Sequence, residues 1–481
     1  MAVDGPGGEE AGADSALVAA LRAEIAKRDE VIARLEKQLK VLTEKLNQNS
    51  KNSHRPPSSD SPGRKADEPQ KPKSDKKRGG QPGHRGNYRQ LLPSASVDKV
   101  EDFFPEVCLG CAGALPEIPD AKAYRYQQLE IVDHRPHLTE YRRHQVRCEG
   151  CGTRTRAAHN SQIPSSAFGP NLTAVAGMLT GVYHLSRRKA QQILFELFGI
   201  SISLGALSTL ERRTSEALKA AYEEAKRAVD QAAVKNADAT PWLILSRLVC
   251  LWVMASAKAT AFSIVPNGSH KEARPVFNNK EPSEQFGILG GDRAAVLVLL
   301  WRMAYRQICW AHLIRKFIAF SERDGPARSI GRELKAYALL VFFYWHSFRD
   351  GHLTRAELRS QFCPVQSNFE RALKRAASAG IPRLSRSRES MLAHREALWN
   401  FVEHEGVEPT NNHAERELRA FVLWRKGFGS QSERGARFAE RLMTVAHTAR
   451  KQGKRVFVFI SRSVTAYVNG LTPPQLIDPV S

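Results

Sequence analysis

The sequence predicts a multidomain α/β protein. Three observations support this: a heptad seam within the first fifty residues, two widely separated Cys-x-x-Cys pairs, and a run of apolar strands from residue 232 that passes into helix and strand alternation. At 481 residues the chain is long enough for about three domains of ~150 residues. Its 72 Lys and Arg against 50 Asp and Glu leave a formal charge of +22, which points to a polyanionic partner. The longest wholly apolar or aromatic stretch, 336–345, is about half the ~20 residues a membrane span needs, so no membrane partner is expected. The first residues lack the basic start and apolar core of a secretory signal, which makes the cytoplasm the expected location. Gly-x-x-x-x-Gly-Lys-Ser/Thr does not occur, which argues against a P-loop ATPase.

The elements follow in order. Residues 1–16 are expected to be disordered and 17–48 to form a coiled coil. Val18, Leu21, Ile25, Arg28, Ile32, Leu35, Leu39, Leu42 and Leu46 recur at alternating spacings of three and four, flanked by Glu, Lys and Arg. An amphipathic helix packed on its own domain is the other reading of that seam. Residues 49–100 form a basic linker. Positions 51–90 hold eleven Lys and Arg against four Asp and Glu, with Ser, Pro and Gly in place of a core, and suit either phosphate contact or a solvated spacer.

Residues 101–160 are predicted to be a zinc-binding module. Cys108, Cys111, Cys148 and Cys151 form two turns, each with a glycine inside, that can place four thiolates on one tetrahedral ion; a closed set of that kind is structural. A helical region at 165–228 follows, with N-caps at Ser186 and Ser203 and a stop at Gly199. Arg187, Arg188, Lys189, Arg212 and Arg213 on successive helices give it a helix-turn-helix character suited to DNA.

From residue 229 to 450 the expected order is strands at 232–237, 243–254 and 261–265, a helix at 270–277, a strand at 285–290, a helix from 293, a strand at 307–310 and a helix at 311–322. That order matches a mixed sheet of the ribonuclease-H kind. Asp238 falls just past the first strand and Asp292 just past the fourth. If these strands are neighbours, the two carboxylates converge and can hold hard divalent cations, which can drive in-line attack on a phosphodiester. Either Asp alone could equally be a turn or helix cap.

A third acidic residue stands in Thr410-Asn-Asn-His-Ala-Glu-Arg-Glu-Leu-Arg419. Here the chain resembles the DDE transposases of the insertion sequence 66 family. The resemblance takes in the seam, Asn49-Ser-Lys-Asn-Ser53, Gly79-Gly-Gln-Pro-Gly-His84, the cysteine pairs, Ala237-Asp-Ala-Thr-Pro241, Gly291-Asp292, Cys309-Trp-Ala-His312 with Arg315-Lys-Phe317, and Arg425-Lys426 with Gly429-Ser430. It implies that Asp238, Asp292 and Glu415 form a catalytic triad on a ribonuclease-H-like core holding two Mg²⁺ or Mn²⁺ ions, alongside a structural Zn²⁺. It also implies a helical insertion at about 324–401 and leaves 451–481 as a C-terminal segment. Arg416, Arg419, Arg425 and Lys426 are placed along substrate phosphates, with a solvated basic face as the competing reading.

The implied activity is cleavage and transfer of DNA strands at the element's terminal inverted repeats. The implied partners are double-stranded DNA, further copies of the chain through the coiled coil, and accessory proteins of the element, in a bacterial cytoplasm at the nucleoid. Two positions depart from the family pattern, Thr410 and Ala239, where acidic residues are common; a zinc-containing DNA-binding protein without strand transfer is the alternative they motivate. His413, beside Glu415, and His312, in Cys-Trp-Ala-His, are candidate helpers of the acidic residues, with packing or capping as the favoured role for both.

Overall fold

The protein is described by a computed structural model covering residues 9–53, 90–120, 122–131, 136–158, 163–164, 166–378 and 391–478. Helix α1 spans Glu9–Leu46, so order begins well before residue 17. The seam residues Ile25, Ile32, Leu35, Leu39, Leu42 and Leu46 are exposed. The helix ends in a turn in which Asn49 N–H donates to Asn52 Oδ1 at 2.7 Å, while Asn52 Nδ2 donates to Glu322 Oε2 at 2.7 Å. The basic run Lys76-Lys77-Arg78 lies outside the described residues.

The cysteine region contains one hairpin, β1 (Gln145–Arg147) with β2 (Arg154–Arg156). Next come α2 (Pro170–Gly177), continued by a π-helical turn at Met178–Val182, then α3 (Arg187–Phe198), α4 (Leu204–Ala217) and α5 (Lys219–Asp230). The expected caps are found: Ser186 Oγ accepts from Lys189 N–H, Ser203 Oγ from Ala206 N–H, and Gly199 takes the left-handed conformation with φ 63°. Helices α2, α3 and α4 share a small core of Ala176, Leu194, Ile202, Leu207 and Leu210. In a second core, Ala174, Leu218, Ala221 and Ala225 pack against Phe438, Leu442, Phe459 and Ile460, so the C-terminal segment closes it.

The sheet is five-stranded and mixed, in the order β5-β4-β3-β6-β7. β3 (Val234–Ile244) pairs antiparallel with β4 (Arg247–Ala255), and β4 antiparallel with β5 (Thr260–Val265). After α6 (His270–Ala273), β6 (Ile288–Gly291) runs parallel to β3; after α7 (Ala295–Leu300), β7 (Arg306–Ile308) runs parallel to β6. One expectation is corrected. The first strand does not stop at residue 237 but continues through Asp238 to Ile244, and the predicted strand at 243–254 is split by a tight turn. Pro241 is tolerated inside β3 because β6 leaves that side of the strand after Asn236, so no ladder bond is lost there.

Helices α8 (Trp310–Ser321), α9 (Pro326–Arg349) and α10 (Arg355–Ser378), with the short α11 (Asn400–Glu403), share an aromatic core of Phe317, Phe362, Phe369, Trp399 and Phe401. Of these, α9, α10 and α11 fall in the stretch at about 324–401 where a helical insertion was expected. Helices α12 (Asn412–Gly427) and α13 (Glu433–Lys451) return to the sheet, followed by α14 (Val456–Val468). α12 packs Ala414, Leu418, Phe421 and Trp424 against Trp242, Leu251 and Val253. α13 covers the β5 edge with side chains: Thr448 Oγ1 accepts from Thr260 N–H at 3.1 Å, Thr444 Oγ1 from Phe262 N–H at 2.9 Å, and Glu440 from Ile264 N–H. Between α12 and α13, Gly429 lies so close to β3 that a Cβ there would sit 2.3 Å from Leu243 O. No helix among the described residues is long and apolar enough to cross a membrane.

Candidate active site

Asp238 lies on β3 opposite Val253, just beyond the stretch that pairs with β6. Asp292 follows the last residue of β6; its Oδ1 accepts from Ala294 N–H at 2.8 Å and its carbonyl from Arg306 Nη2 at 2.6 Å. Glu415 lies in the first turn of α12. The three carboxylates act on one another electrostatically, and one buried side chain, Asn411, joins the elements that carry them. Its Nδ2 donates to Ala237 O at 2.9 Å, its Oδ1 accepts from Asn236 Nδ2 at 3.0 Å, and its backbone N–H reaches Cys309 Sγ at 3.2 Å. Cys309 N–H in turn donates to Gly291 O at 2.9 Å, beside Asp292. Gly290 leaves room for this, since a Cβ there would lie 2.4 Å from the Asn236 amide. Helix α12 is thereby pinned by its start to β3 at the residue before Asp238.

The electrostatics follow from this enclosure. Burial pushes the Asp238 carboxyl up to about 7, with Asp292 and Glu415 adding to the rise and Arg315 opposing it. Glu415 is raised by burial and by Asp292, again against Arg315. Lys316 is lowered to about 8 by burial and by Arg293, and the fully buried Arg306 to about 10 by burial. Three acids and a set of arginines and lysines thus share one enclosed field.

His312 stands beside one of the acids. Its Nδ1 lies 3.7 Å from Glu415 Oε1, and with Cys309 these residues set three donor atoms within 4.8 Å of one another. His413 matches the packing role: its Nε2 is 2.9 Å from Lys451 Nζ and 3.7 Å from Glu417 Oε1. Lys451, at 3.0 Å, and His447 complete that ion cluster and hold the Glu417 carboxyl well below the usual range.

The cysteine pairs form two copies of one turn. Cys108 N–H donates to Gly113 O at 2.9 Å and Cys148 N–H to Thr153 O at 2.8 Å, with Ala112 (φ 58°) and Gly152 (φ 72°) left-handed. Within each turn the thiols face each other and lower a pKa, at Cys108 and at Cys151, chiefly through turn hydrogen bonds. The two turns do not converge on one point. Among the described residues, Cys309, His312 and Glu415 are the only such group of three or more donors.

The basic residues divide. Arg188, Lys189, Arg212, Arg416, Arg419 and Lys426 are exposed. The other three, partly buried, also make contacts within the chain. Arg187 grips Glu211 at 2.6 Å, Arg213 Nη1 donates to Ser166 Oγ at 2.8 Å, and Arg425 Nη1 donates to Thr240 Oγ1 at 2.9 Å and to Pro241 O. Arg187 meets a carboxylate, Arg213 a loop hydroxyl and carbonyl, and Arg425 oxygens of β3. Asn411, Arg315 and Cys309 also belong to the site, and only their motifs hint at it. A polar residue before a helix signals a cap, yet the Asn411 side chain makes no capping bond and turns to the strand.

No curated protein matches the chain. A family of unknown function, DUF6444, matches residues 7–90, which take in α1 and the basic stretch. The model of the transposase IS66 family matches residues 165–438, from the start of the helical region, through the sheet and all three carboxylates, into α13. More than half of the chain is matched, and the protein belongs to the transposase IS66 family.

Proposed function

We propose that the protein is a DDE transposase that binds the terminal inverted repeats of its own element, hydrolyses a strand at each end and joins the resulting 3′-hydroxyls to target DNA. The observation that carries this is the approach of Asp238, Asp292 and Glu415 across β3, the end of β6 and the start of α12. Three antiparallel strands followed by two parallel ones, with acids at these positions, support a ribonuclease-H-like core.

The donor set fits hard divalent cations. All three groups offer carboxylate oxygens, and Glu415 Oε1 is buried without a hydrogen-bond donor among the described residues. Mg²⁺ or Mn²⁺, two ions held by Asp238, Asp292 and Glu415, would polarise the scissile phosphate and activate the attacking hydroxyl. The chain's own part is positional. Asn411 fixes the Glu415 helix against the Asp238 strand, and Arg315, which faces both acids, is placed to hold a phosphate oxygen. The exposed Arg188, Lys189, Arg212, Arg416, Arg419 and Lys426 would line the DNA path. The exposed α1 seam would pair protomers as a coiled coil, so that two ends are cut together. The paired cysteine turns would hold zinc as a DNA-end module once the two turns close on one ion. The site of action is the bacterial nucleoid.

The test is a plasmid assay with the DNA flanking the gene and Mg²⁺, comparing wild type with Asp238→Asn, Asp292→Asn and Glu415→Gln. Each variant is expected to bind the DNA but to lose at least about a thousandfold in joined product, equivalent to ~4 kcal/mol of transition-state stabilisation. A variant that still cuts at the wild-type rate removes its residue from the triad.

A further inference from the structure

Cys309 and His312 stand one helical turn apart at the start of α8, and Glu415 faces them from the start of α12. Their sulfur, nitrogen and oxygen donors lie within 4.8 Å of one another. Ligand atoms around a tetrahedral ion with bonds of ~2.0–2.3 Å are ~3.3–3.8 Å apart, so only small movements separate this arrangement from a closed one. Cys309 is buried, but its sulfur lies at the N-terminus of a twelve-residue helix and faces the Asn411 N–H at 3.2 Å. Both features favour a thiolate once an ion displaces the thiol proton. Sulfur and imidazole donors are poor for Mg²⁺ and good for Zn²⁺ or Co²⁺.

We propose that Cys309, His312 and Glu415 form a site for a thiophilic divalent ion, and that it shares Glu415 with the hard-cation set, so that zinc occupancy and catalytic Mg²⁺ occupancy exclude one another. Binding is a ligand exchange: the ion gains the thiolate, imidazole and carboxylate, the thiol proton leaves to solvent, and no electron moves. Three protein ligands leave the fourth position open, as in exchangeable rather than structural sites. The inhibitory consequence rests on the transposase reading, whereas the site itself does not.

The experiment uses the full chain in two arms. In the first, Co²⁺ is added and the sulfur-to-cobalt absorption band is compared between wild type, Cys309→Ser, His312→Asn and Glu415→Gln. The exposed cysteine pairs contribute equally to all four proteins, so the difference isolates this site. The proposal expects a band component lost in Cys309→Ser and shifted in the other two. Superimposable spectra overturn it, and His312→Asn decides if Cys309→Ser does not fold. In the second arm, Zn²⁺ is titrated into the strand-transfer assay at fixed Mg²⁺, with each protein normalised to its own zinc-free rate. Zinc should inhibit wild type, and Cys309→Ser should need at least about tenfold more zinc for the same inhibition. Equal sensitivity of the two proteins overturns the sharing of Glu415. A cobalt band with the expected variant pattern in a protein inactive in Mg²⁺ supports the site and counts against the transposase reading.

Discussion

The acidic site and the paired-cysteine segment both carry chemistry-bearing side chains far apart in the chain, but only the first brings them together. At the acidic site the work is done by buried polar contacts, with Asn411 tying β3, Cys309 and α12 together before any cation arrives. In the cysteine segment every residue of β1 and β2 is exposed, as are Phe103, Leu109, Tyr124 and Ile131. No apolar core holds its two turns, and the thiols pair only within each turn. The first region is organised by its fold; on the proposed zinc reading, the second would be organised by its ion.

Metal removal breaks this comparison most sharply. Structural zinc in small modules contributes on the order of 10 kcal/mol, so a strong chelator should abolish amide protection at 145–156 while leaving β3, β4 and β6 unchanged. Hydrogen exchange by mass spectrometry reads both regions in one sample. Equal protection of 145–156 with and without chelator would mean that the hairpin stands without zinc.

Asn411 is the corresponding weak point of the sheet. Asn411→Asp keeps the shape but replaces the donor to Ala237 O with an oxygen, leaving a buried carbonyl facing a lone pair. The expected loss is about 3 kcal/mol, read as a lowered urea midpoint with unchanged slope. Strand transfer should fall further than the folded fraction does, because Glu415 is placed through this residue. A variant with wild-type midpoint and activity would show that α12 is positioned by its apolar face alone.

The same contrast explains what was legible in the sequence. Apolar patterning located the strands, and the caps at Ser186, Ser203 and Gly199 marked helix ends, because these signals are local. Asp238 and Asp292 stood out as acids at strand ends, but the acids' approach to one another depends on tertiary contacts. The expected end of β3 at residue 237 fell short of Ile244, and the loss of its β6 neighbour after Asn236, which makes Pro241 harmless there, is a fact of the sheet. Arg187 and Arg425 read as free positive charge for the same reason, since nothing local announces Glu211 or Thr240 as partners. Cys309 and His312 were visible as a motif, but their approach to Glu415 needs 100 residues of chain to return.

Asp238→Asn gives the smallest effect and the finest discrimination. The folded carboxyl titrates near 7 and the unfolded one at its ordinary value of 3.8, so between these pH values the folded chain binds a proton that the unfolded chain does not. This group's contribution to stability is therefore fully present below about pH 4 and is lost as pH rises through 7. Asn carries no such charge, so the variant should equal wild type near pH 4 and become the more stable protein above pH 7. The expected difference is about 2 kcal/mol, allowing for the solvent that reaches the site. Millimolar Mg²⁺ should narrow or reverse this gap at pH 8, because a bound cation favours the ionised Asp238 and has less to hold in the variant. A gap that opens with pH but ignores Mg²⁺ would leave the carboxylates buried and mutually repelling without a cation to serve, and would separate the enclosure of this site from its proposed chemistry.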